Sequence, residues 1–143
     1  MEEEARHELG RIRHEGLDEL RATLWVASLI YLADACAAVG DEALASLLYP
    51  ELAPLAGGNV VIGHGVACYG AADRYLGLLA ATLGDHDRAV EHFEQALDVN
   101  RDMGATTWVA HTLYAYGRTL RIRGASDDAV HASEALTGNR NRA

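Results

Sequence analysis

Apolar and polar residues follow one another along the chain with the period of an α-helix. Ala89, Phe93, Ala96 and Leu97 fall at helical intervals, and residues 76–83 repeat the spacing. Residues spaced in this way share one helix face, so both segments are expected to face a core. The pattern predicts helices at about 3–15, 18–39, 42–55, 66–83, 86–103, 106–123 and 126–137.

Glycines divide this helical pattern into pairs. Gly40, Gly84 and Gly124 would each end the first helix of a pair, because glycine readily adopts the left-handed conformation of a helix end. Asp41 and Asp85 follow directly and suit the N-terminal cap of the next helix. Two helices joined by a tight turn form a hairpin, and a repeated hairpin predicts a stacked array.

Small residues inside the first helices support the repeat. Gly77 and Gly117 lie mid-helix, where glycine costs about 1 kcal/mol relative to alanine. This loss is tolerated where another helix passes very close. The segments that hold them, LGLLAATLGDHDRA and YGRTLRIRGASDDA, are in register at 40 residues. The sequence therefore predicts an all-α fold built from antiparallel helical hairpins.

The segment LGLLAATLGDHDRAVEHFEQAL resembles a tetratricopeptide repeat, with Leu76, Gly77, Ala89, Phe93 and Ala96 in that repeat's positions. The period is longer than the usual 34 residues. With this longer period, residues 63–124 resemble the C-terminal helical regions of large bacterial regulators. These are the LuxR-type transcriptional activators and the proteins that join a nucleotide-cyclase domain to an ATPase domain.

The resemblance covers roughly residues 20–125 and implies a tetratricopeptide-like α-solenoid. Such a solenoid is a right-handed stack, here of about three hairpins plus an N-terminal half repeat. The helix at 3–15 would be the second half of a hairpin, so the chain resembles an excerpt, or a free-standing relative, of such a regulator. We expect one domain over residues 1–138 and a disordered polar tail at 139–143.

Charge and hydropathy restrict the environment of the protein. The net charge of −9 opposes direct contact with nucleic acid and with a membrane surface, since both need clustered positive charge. The N-terminus lacks the basic and apolar regions of a signal peptide. The longest apolar stretch, residues 22–33, is shorter than the roughly 20 residues that span a bilayer. A cytoplasmic protein is expected.

Two motifs suggest a cofactor or metal site, but each lacks residues that such a site requires. The glycine-rich residues 57–70 lack the Lys and Ser/Thr of a phosphate loop after Gly70, so they are expected to be a connection into the next repeat. The pairs Glu4/His7, Asp128/His131 and His64/Cys68 have helical spacing, but they do not form a complete ligand set. No metal and no cofactor are expected.

Catalytic motifs are missing as well. There is no G-x-S-x-G elbow, and neither Cys36 nor Cys68 has a neighbouring cation or general base. Both cysteines lie among apolar residues and are expected to be buried thiols. Trp25 and Trp108, also among apolar neighbours, are expected to pack between helices. We therefore predict a protein that is not an enzyme.

One constellation suggests a binding face. Four polar residues follow one another at three- and four-residue steps and share a face of the predicted helix 106–123. In tetratricopeptide-like arrays the first helices line a concave groove, so polar residues of the earlier first helices would join them. Arginine suits bidentate recognition of carboxylates, and tyrosine gives a rigid contact surface. The candidate partner-binding residues are Asp34, Arg74, His111, Tyr114, Arg118 and Arg121.

Two functions from different classes remain open. The first is a non-catalytic module that binds a protein or peptide segment, acidic by preference, or that couples domains within a regulator. The alternative is a sensory domain that holds a small ligand in the groove or in the glycine-rich connection. Because a short array leaves apolar faces uncovered at its ends, a homodimer is also expected.

Overall fold

The computed structural model describes residues 18–62 and 67–124, with side chains from residue 24 onward. In this part of the chain, helices joined by tight turns form hairpins, and a two-stranded sheet separates the second helix from the third. The elements are α1 Asp18–Val39, α2 Glu42–Leu52, a 3-10 turn Ala53–Leu55, β1 Asn59–Ile62, β2 Ala67–Ala71, α3 Ala72–Thr82, α4 His86–Asp102 and α5 Thr106–Arg123.

The predicted turn chemistry is confirmed. Gly40, Gly84 and Gly124 have φ values of 73°, 79° and 66°, the left-handed conformation that ends a helix without strain only at glycine. Asp41 and Asp85 each accept a hydrogen bond from the backbone N–H three residues later, at 2.9 and 3.2 Å. These caps fix the tight turns that fold α1 onto α2 and α3 onto α4.

The mid-helix Gly77 marks the close approach that its position predicts. A Cβ atom added there would lie 2.6 Å from the Phe93 ring, closer than any real side chain allows. Phe93 on α4 is fully buried, and its ring fills the space that the missing side chain leaves on α3. The absent side chain therefore lets α3 and α4 pack tightly against each other.

The core consists of two apolar clusters along the array. The first joins α1, α2, β1 and α3, and the second joins α3, α4 and α5. Because α3 contributes to both clusters, the two hairpins form one continuous core. The largest fully buried apolar side chains are Leu29, Ile30, Leu52, Val60, Tyr75, Leu76, Leu79, Phe93 and Leu120.

The helix predicted at 66–83 is wrong over its first residues. Residues 67–71 form strand β2, which pairs with β1 in antiparallel register, Val61 opposite Cys68. Gly70 has a φ of 77°, outside the range of a right-handed helix, and a Cβ there would lie 2.7 Å from the Trp108 side chain. Packing against α5 thus overrides the helical pattern. The hairpin is a small addition to an otherwise helical fold.

Two predictions about single side chains are also wrong. Trp25 is 55% exposed and therefore does not pack between helices of the described residues. Cys68 is exposed because it lies on the open face of the hairpin, whereas Cys36 is buried as expected. Trp108 is half-buried against the hairpin, as predicted for a packing residue.

Three predicted segments lie outside the described residues: the helix at 3–15, the helix at 126–137 and the tail at 139–143. The helices predicted at 18–39 and 106–123 agree with α1 and α5 at both ends. Within residues 18–62 and 67–124, none of the helices is both long and apolar enough to span a bilayer.

Candidate functional site

A groove with a volume of about 510 Å³ lies between α1, α3 and α5, the first helices of successive hairpins. Its lining mixes charged side chains, namely those of Asp34, Glu42, Arg74 and Arg118, with small and apolar ones. Five of the six candidate residues line this groove, and Arg121 does not. The lining residues are Asp34, Ala37, Ala38, Gly40, Glu42, Arg74, Leu78, Ala81, Thr82, His111, Tyr114, Ala115, Arg118, Thr119 and Ile122.

The Asp34 end of the groove holds an ion pair. Arg74 Nη2 on α3 donates to Asp34 Oδ1 on α1 at 3.0 Å, and the Arg74 side chain is 10% exposed. Its guanidinium lies over the Tyr75 and Trp108 rings, 4.9 and 5.8 Å from their centroids. Nε and Nη1 are buried and have no hydrogen-bond acceptor among the described residues. The positive charge of Arg74 is thus matched by Asp34 and by two aromatic faces.

The α5 wall of the groove carries the remaining candidate residues. His111, Tyr114 and Arg118 are all exposed, and Tyr114 is 61% exposed. The Arg118 guanidinium lies 5.9 Å from the centroid of the Tyr114 ring. Arg118 forms no salt bridge within the described part of the chain. Of the two arginines in the groove, Arg118 is therefore the one with its charge available to a partner.

An aromatic cluster lies beside the Asp34 end of the groove. The sequence did not predict it, because its members come together only through the β-hairpin. Tyr31 on α1 and Tyr69 on β2 share a hydrogen bond of 2.6 Å between their hydroxyls. Trp108 on α5 donates from Nε1 to the Cys68 carbonyl at 3.1 Å, and its ring lies 5.6 Å from that of His111. The cluster ties the hairpin to the helices that line the groove.

A second feature that the sequence did not reveal is a polar network behind the groove. Asp73 on α3 accepts from the backbone N–H of Gly57 at 2.6 Å and contacts His92 Nδ1 at 2.7 Å. His92 Nε2 in turn lies 2.7 Å from the Tyr49 hydroxyl. These residues lie 16 to 43 positions apart, so no local pattern marks them. The network joins α2, α3, α4 and the turn before β1.

The Asp73, His92 and Tyr49 chain has the order of a catalytic triad, but its surroundings are those of a structural network. The Asp73 side chain is 3% exposed and that of His92 17% exposed. None of the three lines the groove. Each side-chain polar atom of Asp73, His92 and Tyr49 has a hydrogen-bond partner in the protein, so the network links helices and does not present a nucleophile.

The Cys36 thiol and the Tyr75 hydroxyl both have raised pKa values. Burial raises the pKa of the Cys36 thiol, and the Asp41 carboxylate raises it further. The thiol donates to the Asp41 carbonyl at 3.0 Å and stays protonated, which makes it a poor nucleophile. Burial also raises the pKa of Tyr75 to about 12. Among the described residues, no group of three His, Cys, Asp or Glu side chains is placed to hold a metal ion.

Comparison with known proteins agrees with this architecture. A family model described as tetratricopeptide repeat matches residues 69–137. The matched segment begins in β2 and contains α3, α4 and α5, including the α3 and α5 walls of the groove. No curated protein and no solved structure matches the chain. This part of the chain therefore carries tetratricopeptide-like repeats.

Proposed function

We propose that the groove between α1, α3 and α5 binds a segment of a partner protein, and that the chain is a non-catalytic interaction module. Proteins with tetratricopeptide repeats generally mediate protein–protein interaction, and the family match lies over two of the three groove walls. The observation that carries the proposal is the lining itself, which combines apolar residues with Arg118, an arginine that forms no salt bridge within residues 18–62 and 67–124.

The lining suits an extended or helical segment with an acidic group. Leu78, Ala81 and Ile122 offer apolar surface, and Ile122 is 65% exposed. Arg118 offers planar donors that match a carboxylate, and Tyr114 beside it is a rigid aromatic contact. A carboxylate on the partner could pair with Arg118, which forms no salt bridge among the described residues. An acidic side chain or a C-terminal carboxylate is the partner group we propose.

The setting we propose is a cytoplasmic bacterial regulator, in which the module couples domains or recruits a partner. This rests on the resemblance of residues 20–125 to the helical regions of LuxR-type activators and of cyclase/ATPase regulators. The net charge of −9 agrees with a partner that is not nucleic acid. The partner is then a protein segment that reports or transmits a signal.

The substitution Arg118→Ala is expected to weaken partner binding at least about tenfold, a loss of ~1.4 kcal/mol. The matched control is Arg121→Ala, which removes an exposed arginine from the same helix outside the groove lining. Affinity capture from lysate of the source cells, followed by quantitative mass spectrometry, identifies the retained protein. Titration of the purified partner with each variant then measures the affinities.

Equal affinity of the Arg118→Ala variant and the unchanged chain would contradict the role of Arg118. Equal loss with Arg118→Ala and Arg121→Ala would place binding on the exposed face of α5 and not in the groove. Loss confined to Arg118→Ala, with an unchanged thermal midpoint for both variants, is the outcome that the proposal requires.

A small-ligand sensor is the second candidate function, and the groove volume favours it. About 510 Å³ lies within the range of pockets that hold drug-sized molecules. A ligand that binds only the folded chain must raise the thermal midpoint, so a metabolite screen by thermal shift separates this function from protein binding. A midpoint rise that Arg118→Ala abolishes would favour the sensor. If no metabolite raises the thermal midpoint, protein binding is left as the proposed function.

A further inference from the structure

From residue 24 onward, helix α1 is apolar on nearly all sides, which is typical of a helix that is buried all round. Asp34 is the one charged residue between positions 24 and 39, and its partner Arg74 neutralises it. One face of α1 packs in the core through Leu29, Ile30 and Cys36. A second face lines the groove. The third face is apolar as well, although it is exposed to solvent.

The third face spans about 120° of the helix surface, given 3.6 residues per turn. We call it the outer face. No position in it carries a charge, and its large members are 42% to 78% exposed. Both of its hydroxyls already have a partner: that of Ser28 donates to the Leu24 carbonyl at 2.8 Å, and that of Tyr31 shares a hydrogen bond of 2.6 Å with the Tyr69 hydroxyl. The outer face consists of Leu24, Trp25, Ser28, Tyr31, Leu32, Ala35 and Val39.

We propose that the outer face binds the same face of a second copy of the chain, with the two α1 helices antiparallel. With a two-fold axis between Tyr31 and Leu32, two residues lie opposite each other when their numbers add up to 63. Leu24 of one copy, for example, lies opposite Val39 of the other. Leu24 then meets Val39 at the ends and Tyr31 meets Leu32 at the axis, while Trp25 lies opposite Ala38. Ser28 meets Ala35, and these small side chains let the two backbones approach closely.

The area is sufficient for a specific contact. Aromatic residues bury roughly 150–250 Å² each when covered, and about half of Trp25 and Tyr31 is exposed. With the aliphatic members, the outer face offers on the order of 500 Å² per copy. Two copies together reach about 1,000 Å², the size above which an interface is specific and not incidental.

Other occupants fit this surface less well. The face carries no charge to recognise a charged partner segment. A second copy instead supplies an equally uncharged face with matching large and small positions. In the dimer α1 is buried on its core and outer faces, and the two grooves lie on either side of the paired helices. Such a dimer binds a partner with two sites more tightly through avidity.

Sedimentation equilibrium of the full chain over a wide concentration range tests the proposal. The weight-average mass is expected to rise from 15.4 kDa to twice that value. Trp25→Glu should weaken the dimer by on the order of a hundredfold or more, because the symmetry removes two aromatic anchors at once. The matched control is Leu47→Glu, at a 68% exposed position on α2 outside the outer face.

Disulfide cross-linking tests the antiparallel register separately. In a Cys68→Ser background, the double variant Ser28→Cys/Ala35→Cys should form a disulfide-linked dimer under mild oxidation, while each single variant should not. A monomeric mass at the highest concentration would overturn the proposal. A dimer that Trp25→Glu leaves intact would do so as well, as would an absence of cross-linking in the double variant. Dimerisation of the Leu47→Glu control supports it.

Discussion

Replacing Phe93 with alanine is expected to remove about 3–5 kcal/mol from the free energy of unfolding. The Phe93 ring is fully buried where α3, α4 and α5 meet, and its centroid lies 6.2 Å from that of Tyr116. Its other neighbour is Gly77, which has no side chain to move into the vacated space. The cavity therefore persists, and its cost adds to the lost burial of the ring.

Urea denaturation of the purified chain measures this loss, with the exposed Gln95→Ala on the same helix as the control. Gly77→Ala adds a methyl group where the Phe93 ring lies, so by itself it should destabilise the chain despite the higher helix propensity of alanine. Combined with Phe93→Ala, it should be tolerated. Additive effects of the two changes would show that the contact is not shared.

Replacing Asp73 with alanine is expected to cost about 2–5 kcal/mol of stability. Its carboxylate belongs to a side chain that is 3% exposed, and it lies 2.6 Å from the Gly57 nitrogen and 2.7 Å from His92 Nδ1. Both groups lose their partner in the variant, and the loss extends to Tyr49 through the His92 ring. The turn that leads into β1 and the packing of α2 on α4 should loosen together.

The exposed Asp98→Ala provides a matched change on α4, because Asp98 lies 3.9 Å from Arg101 in a surface ion pair. A surface pair of this kind contributes about 0–1 kcal/mol. Asp73→Asn keeps the shape and one acceptor, so its loss should be intermediate. Thermal unfolding of the three variants gives the comparison. Equal midpoints for Asp73→Ala and Asp98→Ala would mean that the network does not stabilise the fold.

Local sequence signals predicted the helices and their turns well. The ends of α1 and α5 agree with the apolar periodicity, because capping and glycine turns depend on residues that lie close together in sequence. Gly77 was informative for the same reason, since a costly glycine inside a helix points to a close neighbour. These features needed no knowledge of the tertiary structure.

The β-hairpin could not be predicted in the same way. Residues 67–71 contain alanines that suit a helix, and their strand conformation depends on contacts with distant residues. Tyr69 bonds to Tyr31, and Gly70 lies against the Trp108 ring. Pairing of β1 with β2 then follows from this tertiary packing. The polar network escaped prediction for a similar reason, because its members come from four separate elements.

The candidate groove was predicted in part. Helical spacing placed His111, Tyr114 and Arg118 on one face, and the structure gathers them with Asp34 and Arg74 around the groove. The spacing could not show that Arg74 would be neutralised, since Asp34 lies 40 positions away. It also could not separate Arg118 from Arg121. That separation depends on the angle at which α5 meets α3.

Site-specific photo-crosslinking in the source cells tests directly whether the groove binds a partner protein. A photoreactive residue in place of Ile122 lies in the groove, whereas one in place of the exposed Gln95 on α4 lies outside its lining. A cross-link to one partner protein is expected from position 122, lost in the Arg118→Ala variant and absent from position 95. Cross-links from position 95 alone, or from neither position, would contradict it.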